Sequence, residues 1–95
     1  MTKDERAWKN RVAQMCCVIC ELQYGKHPGG YVELHHLRKN GWGKQGYKTL
    51  IPLCVDHHRG AQGIHTLGTK AWERQYASQW HLLQKVQERM QVDQS

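Results

Sequence analysis

Two pairs of side chains set at the same spacing carry the first chemistry. Cys17 and Cys20 are separated by Val-Ile, and Cys54 and His57 by Val-Asp. A two-residue gap lets two ligands on one turn approach a single ion from the same side. Two such pairs complete the four-coordinate shell that zinc prefers. A Cys17, Cys20, Cys54, His57 set leaves no position open, which suits a structural ion rather than a catalytic one. The interval between the halves is longer than in a DNA-reading zinc finger, and it has room for a hairpin with histidines of its own. Ordinary buried thiols are the competing account of Cys17 and Cys20. Cys16 is left over and is expected to be a small buried side chain. Disulfides are not expected, because two of the four cysteines are adjacent and the set makes a poor framework.

The remaining histidines fall in a pattern. His35 and His36 are adjacent at an expected strand end, so their side chains point to opposite sides. One can hold a metal while the other faces a substrate. His58 directly follows His57, and those two diverge likewise, one to each site. His65 is a further candidate.

In order, the segments CVIC, ELHHL and LIPLCVDHH resemble the HNH nucleases, over residues 17–58. The resemblance implies a ββα-metal fold, with two strands and a helix around one catalytic ion and a structural zinc beside it. By this match His57 stands where the last zinc cysteine would be. His35 matches the first metal ligand, His36 the general base and His58 the final metal-binding histidine. The family's middle Asn falls at Thr49. Thr can serve there if that Asn orients the base through its main-chain carbonyl, and Asn40 is a second candidate out in the loop. A narrower match, from His35 to about Tyr76, resembles the phage recombination-enhancement nucleases that act with RecA filaments. GIHTLG and the following AWE carry it, and they make His65 a candidate third ligand of the catalytic ion.

The function implied is metal-dependent hydrolysis of DNA. His36 would take a proton from water, and an ion held by His35, His58 and His65 would stabilise the added charge on phosphorus. The resemblance implies 5′-phosphate and 3′-hydroxyl products. An all-imidazole set leaves the divalent catalytic metal open between Mg, Mn and Zn. DNA is the expected partner and a RecA filament a candidate one. The long basic N-terminal extension described for those nucleases has no counterpart ahead of Cys16. Arg38, Lys39, Lys44, Lys48 and Arg59 are the candidate phosphate contacts, with weak sequence preference expected.

These residues need elements to position them. Thr2 and Glu5 read as a capping box that starts a helix over 2–15, with Trp8, Val12 and Met15 on one face. A tight turn is expected over 17–20 and a loop over 24–30. Strands are expected at 31–35 and 49–53, with Pro52 marking an edge or an end. The stretch between them, residues 38–48, holds four Lys or Arg, three Gly and two aromatics without an acid. It reads as a basic finger able to touch DNA through Trp42 or Tyr47, or as a solvated loop. A short helix should start at Asp56 and end at Gly60 or Gly63. Thr69 should cap a C-terminal helical segment over 69–91, which Ser78 can divide. Trp72, Tyr76, Trp80, Leu83 and Val86 form its core stripe, and only the last few residues read as disordered.

Size and charge agree with this. The chain of 95 residues is one domain, 39% apolar and without Phe, so its core is thin. Domains this small usually need a staple. The net charge of +6, from 14 Lys and Arg against 8 Asp and Glu, points to a polyanion. The N-terminal residues are charged throughout with no apolar leader, and no run approaches a membrane span. A cytoplasmic protein in a bacterial host cell, with reduced thiols, is expected. The fold class expected is therefore α+β: a small ββα-metal core at about 17–76 with a hairpin, flanking helices and a structural zinc site. Two rivals remain at this stage, a zinc-dependent DNA-binding module without activity and a two-zinc structural domain.

Overall fold

The computed structural model describes residues 2–25, 31–37 and 46–94, the side chains of 92–94 excepted. Helix α1, Lys3–Ala13, starts where the cap chemistry places it: the Thr2 hydroxyl accepts the Glu5 amide at 3.1 Å. It ends two residues short of the expected boundary. Val12 is fully buried, and Trp8 and Met15 pack against the core beside it, as their spacing requires.

The segment after Cys17 is not a turn alone. Cys17 is the N-cap of a helix, α2, Val18–Tyr24, whose first turn buries Val18, Ile19 and Cys20. These three buried side chains, followed by an exposed turn, seat it against β2.

Strand β1 is Glu33–His36 and strand β2 is Leu50–Leu53, and they pair antiparallel. The register sets Glu33 opposite Leu53, His35 opposite Ile51 and His36 opposite Leu50. Both strands begin later than the sequence pattern suggests. His36 therefore lies within β1, and Thr49 closes a single 3-10 turn, Tyr47–Thr49, that leads into β2. Alternation puts Glu33 and His35 on one face of β1 and Leu34 and His36 on the other. All four β2 residues are buried, because α1, α2, α6 and α3 all pack on this strand. Pro52 lies opposite Leu34 without an N–H to donate, a position a two-stranded sheet tolerates.

Helix α3, Val55–His58, follows β2 at once and packs on both strands. Its N-cap is Cys54, two residues earlier than Asp56 would have placed it. Helix α4, Ile64–Leu67, and helix α5, Thr69–Gln75, meet at Gly68, whose φ of 87° lets one residue end the first and cap the second. Thr69 is thus inside α5 rather than its cap. Helix α6 spans Gln79–Gln94, so the chain end expected to be disordered continues the helix. Ser78 does divide the segment, its hydroxyl accepting the His81 amide at 3.1 Å. Trp72, Leu83 and Val86 enter the core, Tyr76 only partly, and Trp80 is 45% exposed. The tryptophan stripe therefore breaks where α5 ends, since the helical phase is not carried across the break. Among the described residues no helix is long and apolar enough to cross a membrane.

The turn from α3 to α4 is tight. A Cβ on Gly63 would lie 2.6 Å from the carbonyl carbon and oxygen of His58, both backbone atoms that cannot swing away. Gly63→Ala is expected to cost roughly 1–3 kcal/mol, as overpacking does. Chemical denaturation measures it, and an unchanged midpoint would mean that the turn adapts freely.

Candidate functional site

The two paired-ligand motifs turn out to be the same local structure used twice. Cys17 is the N-cap of α2 and Cys20 its third residue; Cys54 is the N-cap of α3 and His57 its third residue. N-cap and third-residue side chains face each other across a first helical turn, the geometry that otherwise supports a capping box. That is why a two-residue gap brings both ligands to one side. With Zn–S of about 2.3 Å and Zn–N of about 2.05 Å, a tetrahedral shell sets sulfurs about 3.8 Å apart and sulfur and nitrogen about 3.6 Å apart. Here Cys20 Sγ and Cys54 Sγ are 3.9 Å apart. His57 Nδ1 lies 3.7 Å, 3.6 Å and 3.2 Å from the sulfurs of Cys17, Cys20 and Cys54. The four donors can hold zinc.

Burial pushes the Cys17 thiol up, against the backbone amides of Cys54, Cys20 and Ile19, which favour its thiolate. Burial also pushes Cys20 up, and the neighbouring Cys17 and Cys54 add to it. A cation reverses that balance, since thiolates crowded together need a positive centre. Helix α5 closes the site: Trp72 Nε1 donates to the His57 carbonyl at 3.1 Å, and the Tyr76 ring meets the His57 ring edge-on at 5.3 Å. Cys16 stands apart. It is only partly buried, with its thiol 3.2 Å from Glu21 Oε2, because it precedes the helix cap and faces the carboxylate one turn on.

His58 leaves α3 in another direction from His57 and joins a second cluster. His35 from β1, His58 from α3 and His65 from α4 can each bring a ring nitrogen within 4.8 Å of the others. His58 Nε2 and His65 Nε2 are 3.1 Å apart. Two metal–nitrogen bonds of about 2.1 Å at a right angle would set them about 3.0 Å apart. The second nitrogen of His58 is engaged: Nδ1 lies 2.8 Å from Glu33 Oε1. That pairing and Arg59 hold the Glu33 carboxyl below its ordinary range, the His58 bond first. His35 is buried, and burial pushes it down to about 4, while its bond to Gln79 works the other way. It is therefore neutral at pH 7 and able to act as a ligand. Three imidazoles alone do not complete a four-coordinate shell.

His36 is outside this cluster, as its strand parity requires. Arg59 spans both oxygens of Glu33, at 3.1 Å and 3.0 Å, with its side chain 61% exposed. Lys48 lies over the Trp8 ring, 5.5 Å from its centroid, and Tyr47 meets that ring edge-on. Arg38, Lys39, Asn40, Trp42 and Lys44 lie outside the described residues. The Thr49 carbonyl accepts the Leu37 amide at 3.2 Å, extending the ladder of β1 and β2. Sequence reasoning missed Glu33 and Gln79. Glu33 was discoverable, since it sits two residues before His35 and shares its strand face. Gln79 had no local signal.

A small α+β domain thus presents two groups of ligand side chains, one closed and sulfur-rich, the other open and all imidazole. The chain belongs to the family of recombination-enhancement, RecA-dependent nucleases, whose profile matches residues 1–91. That match takes in α1 and most of α6, beyond the span of the motifs themselves. No individually curated protein matches the chain.

Zinc binding in small domains contributes folding free energy on the order of 10 kcal/mol. Cys20→Ser and Cys54→Ser are therefore expected to be largely unfolded or insoluble. A Cys54→Ser chain that melts cooperatively at the parental temperature would remove zinc from this site.

Proposed function

We propose that the chain is an HNH-type, metal-dependent DNA endonuclease with a ββα-metal core formed by β1, β2 and α3. The observation that carries the reading is the convergence of His35, His58 and His65 beside a closed Cys17, Cys20, Cys54, His57 set. A module that only bound DNA would need the second set but not the first. Zinc at the closed set is structural. His35, His58 and His65 would hold a divalent cation, Mg, Mn or Zn, which would supply positive charge where the attacked phosphate and the leaving 3′ oxygen gain negative charge.

The chain's own residues do the rest. His36, on the opposite strand face from His35, is the general base, because an imidazole titrates near neutral pH and can accept a proton from water. Thr49, next to the Leu50 that pairs with His36, takes the place of the family's Asn. Glu33 orders the His58 ring, and Arg59 in turn orders Glu33. Arg38, Lys39, Lys44 and Lys48 contact phosphates, with Arg59 reaching one from its exposed guanidinium. The products carry 5′-phosphate and 3′-hydroxyl ends. The setting is the cytoplasm of a bacterial host, during phage recombination, on DNA that a RecA filament presents.

General-base catalysis is typically worth roughly 10²–10⁴-fold. His36→Ala is expected to fold, keep its zinc, bind DNA and lose cleavage by about that factor. His58→Ala should lose cleavage together with the exchangeable ion, while His81→Ala, on the exposed side of α6, retains activity. Nicking rates and bound metal per chain test this, with and without RecA. Parental cleavage by His36→Ala would assign the base elsewhere. No cleavage by the parent with any metal would favour the binding module.

Replacing Lys39, Lys44 and Lys48 with Ala should flatten the salt dependence of DNA affinity by roughly 0.9 in log–log slope per lost contact on duplex DNA. An unchanged slope would place the DNA on another face.

A further inference from the structure

Gln79 is a rare kind of residue in a domain this small. Among the described residues, the buried polar side chains are His35, His57 and Gln79. His35 and His57 belong to the two ligand clusters. Gln79, only 6% exposed at the start of α6, belongs to neither. A buried amide left without partners is costly, so the few that persist are held for a reason. Gln79 Oε1 lies 2.8 Å from His35 Nε2.

That contact decides which nitrogen of His35 is available. A neutral imidazole carries one proton, on one of its two nitrogens, and the hydrogen bond made by one sets the role of the other. A carbonyl oxygen accepts only, so Nε2 must carry the proton and Nδ1 keeps the lone pair. We propose that Gln79 is a positioning residue for the three-histidine site: its side-chain carbonyl holds His35 as the Nε2–H tautomer and presents Nδ1 to the ion shared with His58 and His65.

The arrangement is symmetrical in purpose with the neighbouring ligand. Glu33 occupies Nδ1 of His58 and leaves Nε2, whereas Gln79 occupies Nε2 of His35 and leaves Nδ1. Partners of this kind fix both the tautomer and the ring orientation of metal-bound histidines. The choice of an amide over a second carboxylate fits the burial. His35 is enclosed where a further unpaired charge would be costly, while Glu33 is compensated by Arg59. Gln79 is itself held firmly. Its backbone amide donates to Glu73 Oε2 at 2.7 Å, and Ser78 caps the same helical turn. Helix α6 therefore does more than cover β2: its first residue reaches across to the site from outside the strand–strand–helix segment.

This inference rests on the three histidines holding an ion, and the experiment separates the two. Zinc-loaded parent, Gln79→Leu and Gln79→Glu are titrated calorimetrically with Co²⁺. The ring proton of His35 is located by ¹⁵N NMR in each. The parent should take up a second ion and show the Nε2–H tautomer before Co²⁺ is added. Gln79→Leu, similar in size but without an acceptor, should keep its zinc and its cooperative melting. It should bind Co²⁺ roughly 10–100-fold more weakly, the usual loss when such a partner is removed. Gln79→Glu keeps an acceptor at the same reach, and because a bound cation offsets the added charge it should return Co²⁺ affinity toward that of the parent. An Nδ1–H tautomer in the parent, or undiminished Co²⁺ affinity in Gln79→Leu, overturns the role of Gln79 and leaves the ion site standing. Loss of zinc or of cooperative melting in both variants makes Gln79 a folding residue and likewise overturns it. A parent that takes up no second ion removes the three-histidine site, and this inference with it.

Discussion

Three thiols and an imidazole, their donor atoms all within 4.8 Å of one another and mostly buried, repel as soon as the thiols ionise. Burial holds Cys17 and Cys20 protonated, yet the backbone amides around Cys17 already favour its thiolate. Only a cation reconciles those two tendencies. The surrounding structure depends on that reconciliation because α2 and α3 are short and neither could persist alone in water. Each begins at one of the ligand pairs and points its first turn at the same place. Between them they clamp β2, whose side chains are buried throughout. The apolar core of Val12, Ile19, Leu37, Leu50, Ile51, Leu53 and Trp72 forms around this clamp. With no Phe and with two short strands, it would be a meagre core without it.

The sequence told much about this clamp and less about what surrounds it. The spacing of Cys17 with Cys20 and of Cys54 with His57 carried the ligand set, because ligand spacing on a first helical turn is a local property. The expectation of a tight turn at 17–20 gives way to a helix for the same reason that the four side chains converge: each pair is the start of a helix. Thr2 was legible as a cap, whereas Asp56 and Thr69 were misplaced by one or two residues in favour of Cys54 and Gly68. A cysteine is not a typical capping residue, and its role there follows from the site, not from propensity. Trp80 looked like core by its spacing from Tyr76, but the phase is lost at Ser78.

The second cluster shows the other boundary of legibility. His35 and His58 were expected together on the strength of a family likeness and of two adjacent-histidine pairs, and they meet in the fold with His65. Their supports were not visible in the same way. Glu33 follows from strand parity once β1 is placed. Gln79 lies beyond two further helices, and only the packing of α6 brings it back to β1. Long-range contacts of this kind leave no periodic trace.

Helix α3 has a single turn, yet His57 and His58 commit it to two different clusters. Neither cluster can be complete while that turn is frayed. Whatever binds on one side therefore supplies order that the other side would otherwise have to provide. Such a coupling is reciprocal by thermodynamic necessity. If two ions of different kinds bind here, each should raise the affinity of the other, without any contact between them and with no hinge or subunit rotation. The conformational entropy of four residues would then be the medium of that cooperativity. A nascent or zinc-starved chain would then be silent toward its second ion as well as unfolded, so that assembly and competence arrive together.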